Sequence, residues 1–223
     1  LTGSIEAGQR SRLEKAFFNE ASQPECMIGA GFCNTGQILI ARRVGEGQPD
    51  AALGILRSGL AIMAGTGLLL VGVMHLLLLT GIENVFKDVA TGAVFAEFMA
   101  IRRWGYLPAF MMMMLNAFFM GTARSRILMW AMVTTGLVNI IGDAALISGQ
   151  WGFPAMGPRG AAWASFTAEC TGLFVLLGCA MQRHGRALRS AAWMAGDALG
   201  RWARLALPLI LQMPLTPGTW GMF

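Results

Sequence analysis

The chain has 223 residues, of which 55% are hydrophobic and only 13% charged. Its mean hydropathy is +0.56, whereas a soluble domain carries about 25% charged residues. This excludes an ordinary soluble globule and points to a polytopic membrane protein. The net charge of +5 is no nucleic-acid signature, because the arginines form short clusters between apolar runs. Cys26, Cys33, Cys170 and Cys179 show no CxxC spacing, so neither a disulfide framework nor a metal site is read. The 29 Gly and 16 Met fit helices that approach closely in lipid and fill irregular gaps.

Residues 1–26 are polar, with Arg10, Arg12, Glu14, Lys15, Glu20 and Glu25, and are expected outside the membrane. Leu1 is not a methionine and no signal peptide follows it, so the chain reads as beginning within a longer protein. A spanning helix needs about 20 mostly apolar residues. The run 27–41 reads as the tail of a helix, and full spans are predicted at 58–81, 105–123, 127–149 and 160–181. The helix of the second of these is allowed to start as early as residue 92. Residues 205–213 open another helix that Pro214 and Pro217 break off, making 205–223 a truncated start.

Cations accumulate in cytoplasmic loops. Arg42, Arg43 and Arg57, then Arg124 and Arg126, then Arg183, Arg186, Arg189, Arg201 and Arg204 make ten in three alternate connections, 42–57, 124–126 and 183–204. Lys87 and Arg159 are the two on the other side. The predicted orientation therefore places the ten inside. Arg102 and Arg103 fit less neatly: they sit either at the outer interface or facing a wet cavity.

Ionisable groups within spans are rare and usually face the bundle interior. Asn139 and Asp143 are four apart, on one face of a predicted helix. Running outward, that helix places Asp143 ~9 Å from its outer end, at ~1.5 Å per residue. The next span starts outside near Gly160, which sets Ser165 at the depth of Asp143 and Glu169 at the depth of Asn139. Ala161, Ser165 and Glu169 share a face. Such oxygens suit a hard cation, and a carboxylate there also suits a proton. On spacing alone, Asn139 and Asp143 serve equally well as hydrogen bonds between helices. His75, in the outer half of its span, is a candidate proton relay, with packing as the commoner role of a lone His. The run 111–119, "MMMMLNAFF", is read as helix packing before any cavity lining.

Three segments carry a family resemblance. "ILIARRVGEGQPDAA" resembles the end of the second helix of multidrug and toxic compound extrusion (MATE) transporters. "NIIGDAALISGQWGFPAMGPRGAAWAS" resembles their fifth helix, outer loop and sixth-helix start, and "RLALPLILQ" looks like the opening of the second lobe. The resemblance spans 27–212. It implies an all-α integral membrane protein, a polytopic helical bundle forming a partial MATE-type amino-terminal lobe over 27–204. It implies a secondary active antiporter, not an enzyme, exporting organic and often cationic compounds in exchange for H⁺ or Na⁺, with no cofactor. It also implies a multi-pass place in the plasma (bacterial inner) membrane among its lipids, small organic substrates and no obligate protein partner. Asn139, Asp143, Ser165 and the Ala161 carbonyl fall on the family's cation site; Glu169 is added on depth alone. Two departures stand out: nothing corresponds to the family's first helix with its acidic residue, and nearly all of the second lobe is missing. Residues 1–223 alone are therefore expected to transport nothing. The rival readings are a lipid-linked glycan flippase of the same superfamily, which a basic central cavity would favour, and a non-transporting fragment or pseudogene product.

Overall fold

The structure, a computed structural model, describes residues 24–81 and 89–190, together with Gly200, Trp202, Arg204, Leu205 and Pro208. Most of the polar segment 1–26, Lys87, and nearly all of 205–223 lie outside the described residues. Among the described residues six α-helices follow one another: α1 (Pro24–Gly45), α2 (Pro49–Leu79), α3 (Val89–Arg102), α4 (Tyr106–Gly121), α5 (Ser125–Leu146) and α6 (Pro158–Ser190). Short 3₁₀ turns, Arg103–Gly105 and Gln150–Gly152, precede α4 and follow α5. No strand occurs among the described residues. The fold class is the predicted one, an all-α bundle of membrane-type helices.

Among the described residues three helical stretches are long and apolar enough to cross a membrane: Pro49–Leu79, Ser125–Leu146 and Pro158–Leu188. The predicted span 105–123 differs. Its helix α4 has only 16 residues, and the helical path reaches further back, through the 3₁₀ turn to Val89. Pro108 supplies the reason. It has no N–H to offer the carbonyl four residues earlier and its ring crowds that carbonyl, so the chain tightens at 103–105, where the Tyr106 amide donates to the Arg103 carbonyl. The predicted loop 42–57 also shortens, because α2 starts at Pro49, a favoured residue in a first turn. Only Glu46, Gly47 and Gln48 connect α1 to α2. There Arg42 and Arg43 both reach Glu46, at 2.8 and 2.9 Å, and the Arg42 hydrogen bond first of all holds the Glu46 carboxyl below its ordinary pKa.

Lipid is as apolar as leucine, so transfer from water does not hold such helices together; packing and polar contacts do. The core lies among α1, α2, α4 and α6, where Ile40, Leu56, Met63, Met114, Phe118, Phe119 and Leu176 are buried. Met114, Leu115, Phe118 and Phe119 settle the run 111–119 as packing. Trp202 was expected within a loop, but it is fully buried, with its indole N–H donating to the Phe32 carbonyl at 3.1 Å. It fits because Gly36 and Gly59 leave room for its ring. The predicted loop 183–204 is likewise helical as far as Ser190.

Val44, Pro49, Phe118, Thr122, Arg124 and His184 line one crevice. The ends of α1, α4 and α6 and the starts of α2 and α5 therefore meet at one end of the bundle, with most of the described loop arginines. At the opposite end Arg159 approaches Glu97 at 3.8 Å. Helices α5 and α6 are antiparallel and in close contact: a Cβ on Gly142 would lie 3.0 Å from the Ala164 Cβ, and one on Gly160 would strike the Leu146 carbonyl. Beyond α5, Gly149 adopts φ 69 and the Met156 amide donates to the Leu146 carbonyl at 2.8 Å, closing the turn.

Two outcomes follow. Gly160→Ala should lower bundle stability in detergent by about 1–3 kcal/mol through forced overpacking, whereas Gly178→Ala, which meets nothing within 4 Å, should not; thermal unfolding distinguishes them. Single cysteines at Gln48 and Gln150, in an otherwise cysteine-free chain, should react with an impermeant reagent from opposite faces of a membrane. Labelling from the same face would defeat the topology.

Candidate functional site

The α5–α6 seam positions the expected cation ligands. Four residues along α5 from Gly142 is Leu146, and four residues back along α6 from Ala164 is Gly160. By the same steps Asp143 stands level with Trp163 and Ala164, and Asn139 with Thr167 and Ala168. Ser165 thus lies within two residues of the height of Asp143, and Glu169 within two of Asn139, about 3 Å in each case. Small residues make this approach available. Gly160, Ala164, Ala168 and Gly172 recur every four residues along α6, with Ala164 and Ala168 buried. A Cβ on Gly172 would meet the Thr135 hydroxyl of α5.

On α5, Thr135, Asn139, Gly142 and Leu146 repeat at intervals of four, three and four, a single stripe facing α6. Asn139 carries the clearest anomaly: its Oδ1 is buried and has no hydrogen-bond partner among the described residues. An unpaired buried amide oxygen costs about 1–3 kcal/mol, a cost that a hydrogen-bond donor, a water or a cation beside it would relieve. Asp143, one turn away, is half-buried, and its carboxylate makes no ion pair with any described residue. Ala161, Ser165 and Glu169 lie one position round from the contact stripe of α6.

Glu169 has a partner that sequence reasoning did not assign. Both its oxygens are held by the Arg102 guanidinium, at 2.7 and 2.9 Å. The pair is largely enclosed, with the two side chains 27% and 15% exposed, and it joins the end of α3 to α6. Arg102 is therefore tied into the bundle rather than resting at the outer interface. Gly105 is what admits the pair, since a Cβ there would collide with both the guanidinium and the carboxylate. Arg103 turns the other way and reaches His75 Nδ1 of α2 at 2.7 Å. Arginine offers only donors, so in this contact the His75 Nδ1 accepts. The signal for this cluster was present as two arginines, a glycine and a proline within seven residues, 102–108. It names a broken helix with two charges to satisfy, but not their partners.

Removing one member of an enclosed ion pair leaves the other charge stranded. Glu169→Gln should lower stability by about 3 kcal/mol, and Arg102→Gln combined with Glu169→Gln should recover part of that loss. A double-mutant cycle on detergent unfolding measures the coupling, and additive losses would reduce the pair to a passive contact.

Comparison with known proteins places the chain. The MatE family profile matches residues 16–144, which contain Asn139 and Asp143 but not Ala161, Ser165 or Glu169. A probable multidrug resistance protein NorM of Synechocystis sp. is 29% identical over 147 residues, covering 64% of this chain and 31% of that protein. The Rhizobium meliloti protein of the same name is 26% identical over 156 residues, 68% of this chain and 32% of its own length. The chain thus spans about a third of the length of these curated relatives. Two solved structures share the fold. A multidrug resistance MATE family transporter of the MOP superfamily in an outward-facing conformation gives a TM-score of 0.73 at 20% identity, covering 89% of this chain and 44% of that one. An inward-facing structure described in the same terms gives 0.71 at 19%, covering 85% and 43%. The chain belongs to the MatE family.

Proposed function

We propose that this chain forms much of the amino-terminal lobe of a cation-coupled exporter of small organic, often cationic, compounds, working in a bacterial inner membrane. The observation that carries the reading is the buried, unpartnered Oδ1 of Asn139, one turn from the half-buried Asp143. Asn139, Asp143, Ser165 and the Ala161 carbonyl offer amide, carboxylate, hydroxyl and carbonyl oxygens, the donors a sodium ion takes. Asp143 alone suffices for a proton. In this reading the coupling ion is cargo, and its arrival biases the lobe between states that hold substrate with different affinity. The similar TM-scores against outward- and inward-facing structures support a lobe that changes little internally while moving against its counterpart.

Glu169 is assigned a positioning role instead of a share in the cation, because Arg102 takes both its oxygens. His75 likewise serves as the acceptor that fixes Arg103 rather than as a proton relay. These partnerships also weigh against the flippase reading. A phosphate-bearing substrate would call for unpaired cations toward the cavity, and here the Arg102 charge is balanced by Glu169, although that of Arg103 is not cancelled by His75.

The test needs a transporter with both lobes that carries this segment. Asp143→Asn should reduce ion-driven dye efflux from everted vesicles to the level of empty vesicles, with normal expression and unfolding temperature. Asn139→Ala should weaken the apparent affinity for the coupling ion more than the maximal rate. Unchanged efflux in Asp143→Asn at normal expression would reduce the residue to a structural part.

A further inference from the structure

The end of the bundle opposite the candidate cation site holds a second feature. A cavity of about 310 Å³ lies between the α4–α5 turn and the far part of α6, lined by Ala123, Arg124, Ser125, Arg126, Ile127 and Arg183. Three of the six lining residues are arginines and none is acidic. Arg124 is half-buried and is held by a hydrogen bond to His184 Nε2 at 3.0 Å. That bond fixes the guanidinium without cancelling its charge, since the imidazole only accepts. Arg126 and Arg183 are exposed. The backbone adds to the same field. Ala123 takes φ 55, turning the chain so that α5 begins at Ser125, and no side chain caps this first turn. The start of a helix carries roughly half a positive charge and free amides suited to an anion. Three guanidiniums around one cavity repel one another, and an anion within it removes that repulsion.

The surroundings narrow the anion to a class. Along α5 from the cavity, Met129, Trp130, Met132 and Val133 are 55%, 65%, 71% and 48% exposed. A soluble phosphate has no use for an apolar face beside its site, whereas an acyl chain does. Tryptophan one turn from a cluster of arginines is also the arrangement found where a helix leaves the hydrocarbon for the headgroups. Basic pockets between helices at this level suit anionic lipid headgroups. We propose that the cavity binds the phosphodiester headgroup of an anionic phospholipid, its acyl chains lying along the exposed face of α5 at Met129, Trp130 and Val133. The bound lipid would bridge the start of α5 and the far part of α6, at the end of the seam remote from Asp143.

The experiment uses the full chain purified in a neutral detergent. Phosphatidylglycerol, phosphatidylcholine and inorganic phosphate are titrated separately, with thermal unfolding and native mass spectrometry as readouts. Phosphatidylglycerol should bind saturably and raise the unfolding temperature, with phosphatidylcholine and inorganic phosphate far weaker. Arg126→Gln with Arg183→Gln should weaken phosphatidylglycerol by about thirtyfold, the attraction expected from two arginines near a membrane surface. Arg42→Gln with Arg43→Gln removes the same charge from the same end outside the cavity and should leave binding nearly unchanged. Should the cavity double variant fold poorly, Ser125→Glu serves in its place: an acidic residue stabilises a helix start, yet here it should repel the headgroup. Equal loss in the outside pair would reduce the effect to general surface charge and overturn the site. Equal response to inorganic phosphate would overturn the lipid assignment, and so would equal binding of phosphatidylcholine. None of these outcomes depends on transport, so the result stands apart from the exporter reading.

Discussion

A charge within a membrane bundle must meet its opposite, and the Arg102–Glu169 pair shows how much of this chain is shaped by that requirement. Taking both groups from water costs several kcal/mol apiece, recovered only with close, multiple contacts; here both oxygens and two guanidinium nitrogens engage. That contact needs space, which Gly105 provides. It also needs a helix that stops near Arg102, which Pro108 provides by denying a hydrogen bond to the turn before it. The break then sends two adjacent arginines in different directions, Arg102 to α6 and Arg103 to α2. The stretch from α3 to α4 is thereby clamped to a neighbour on each side.

The second constraint is the closeness of α5 and α6. Where lipid supplies no hydrophobic drive, helices adhere by contact, and contact is closest where side chains are smallest. The stripe Gly160, Ala164, Ala168 and Gly172 brings the backbones of the two helices near enough that Asn139 is enclosed with its Oδ1 unsatisfied. Larger residues on the stripe would hold the helices apart and open that oxygen to water or lipid. The seam therefore fixes the height of each polar group and leaves the Asn139 Oδ1 without a partner among the described residues, which is the basis of the proposed ion site.

Much of this was legible in the sequence, for identifiable reasons. Apolar runs of spanning length revealed α2, α5 and α6, because lipid imposes one length on every crossing. The equal depths of Asp143 and Ser165, and of Asn139 and Glu169, followed from counting back to a short outer loop. The seam sets them within two residues of one another, about 3 Å, and a tight antiparallel pair cannot slip in register without bringing large residues against its glycines. What spacing could not supply was the direction of each side chain around its helix. Glu169 was placed level with Asn139 by height alone, yet it faces α3, where Arg102 holds both its oxygens. Trp202 was hidden for a different reason. It lies among arginines in a stretch that reads as a loop, and only the gaps left by Gly36 and Gly59, far away in sequence, make a pocket for its ring.

Asp143 and Glu169 consequently differ in kind. Glu169 is committed: its charge is balanced by a guanidinium that has nowhere else to go, and separating them would strand both. Asp143 has no such partner among the described residues, and its neighbour Asn139 presents an oxygen with nothing bound to it. Under the proposed function, a mobile cation arriving there would meet Asp143 and Asn139 without first displacing a resident charge. The frame of α2, α3 and α6, closed by its own ion pair and by the Arg103–His75 contact, need not loosen for that exchange. Under the proposed function, a site that fills and empties in every cycle would stand next to charges that keep their partners, so that the lobe keeps its shape while the occupancy of one carboxylate reverses.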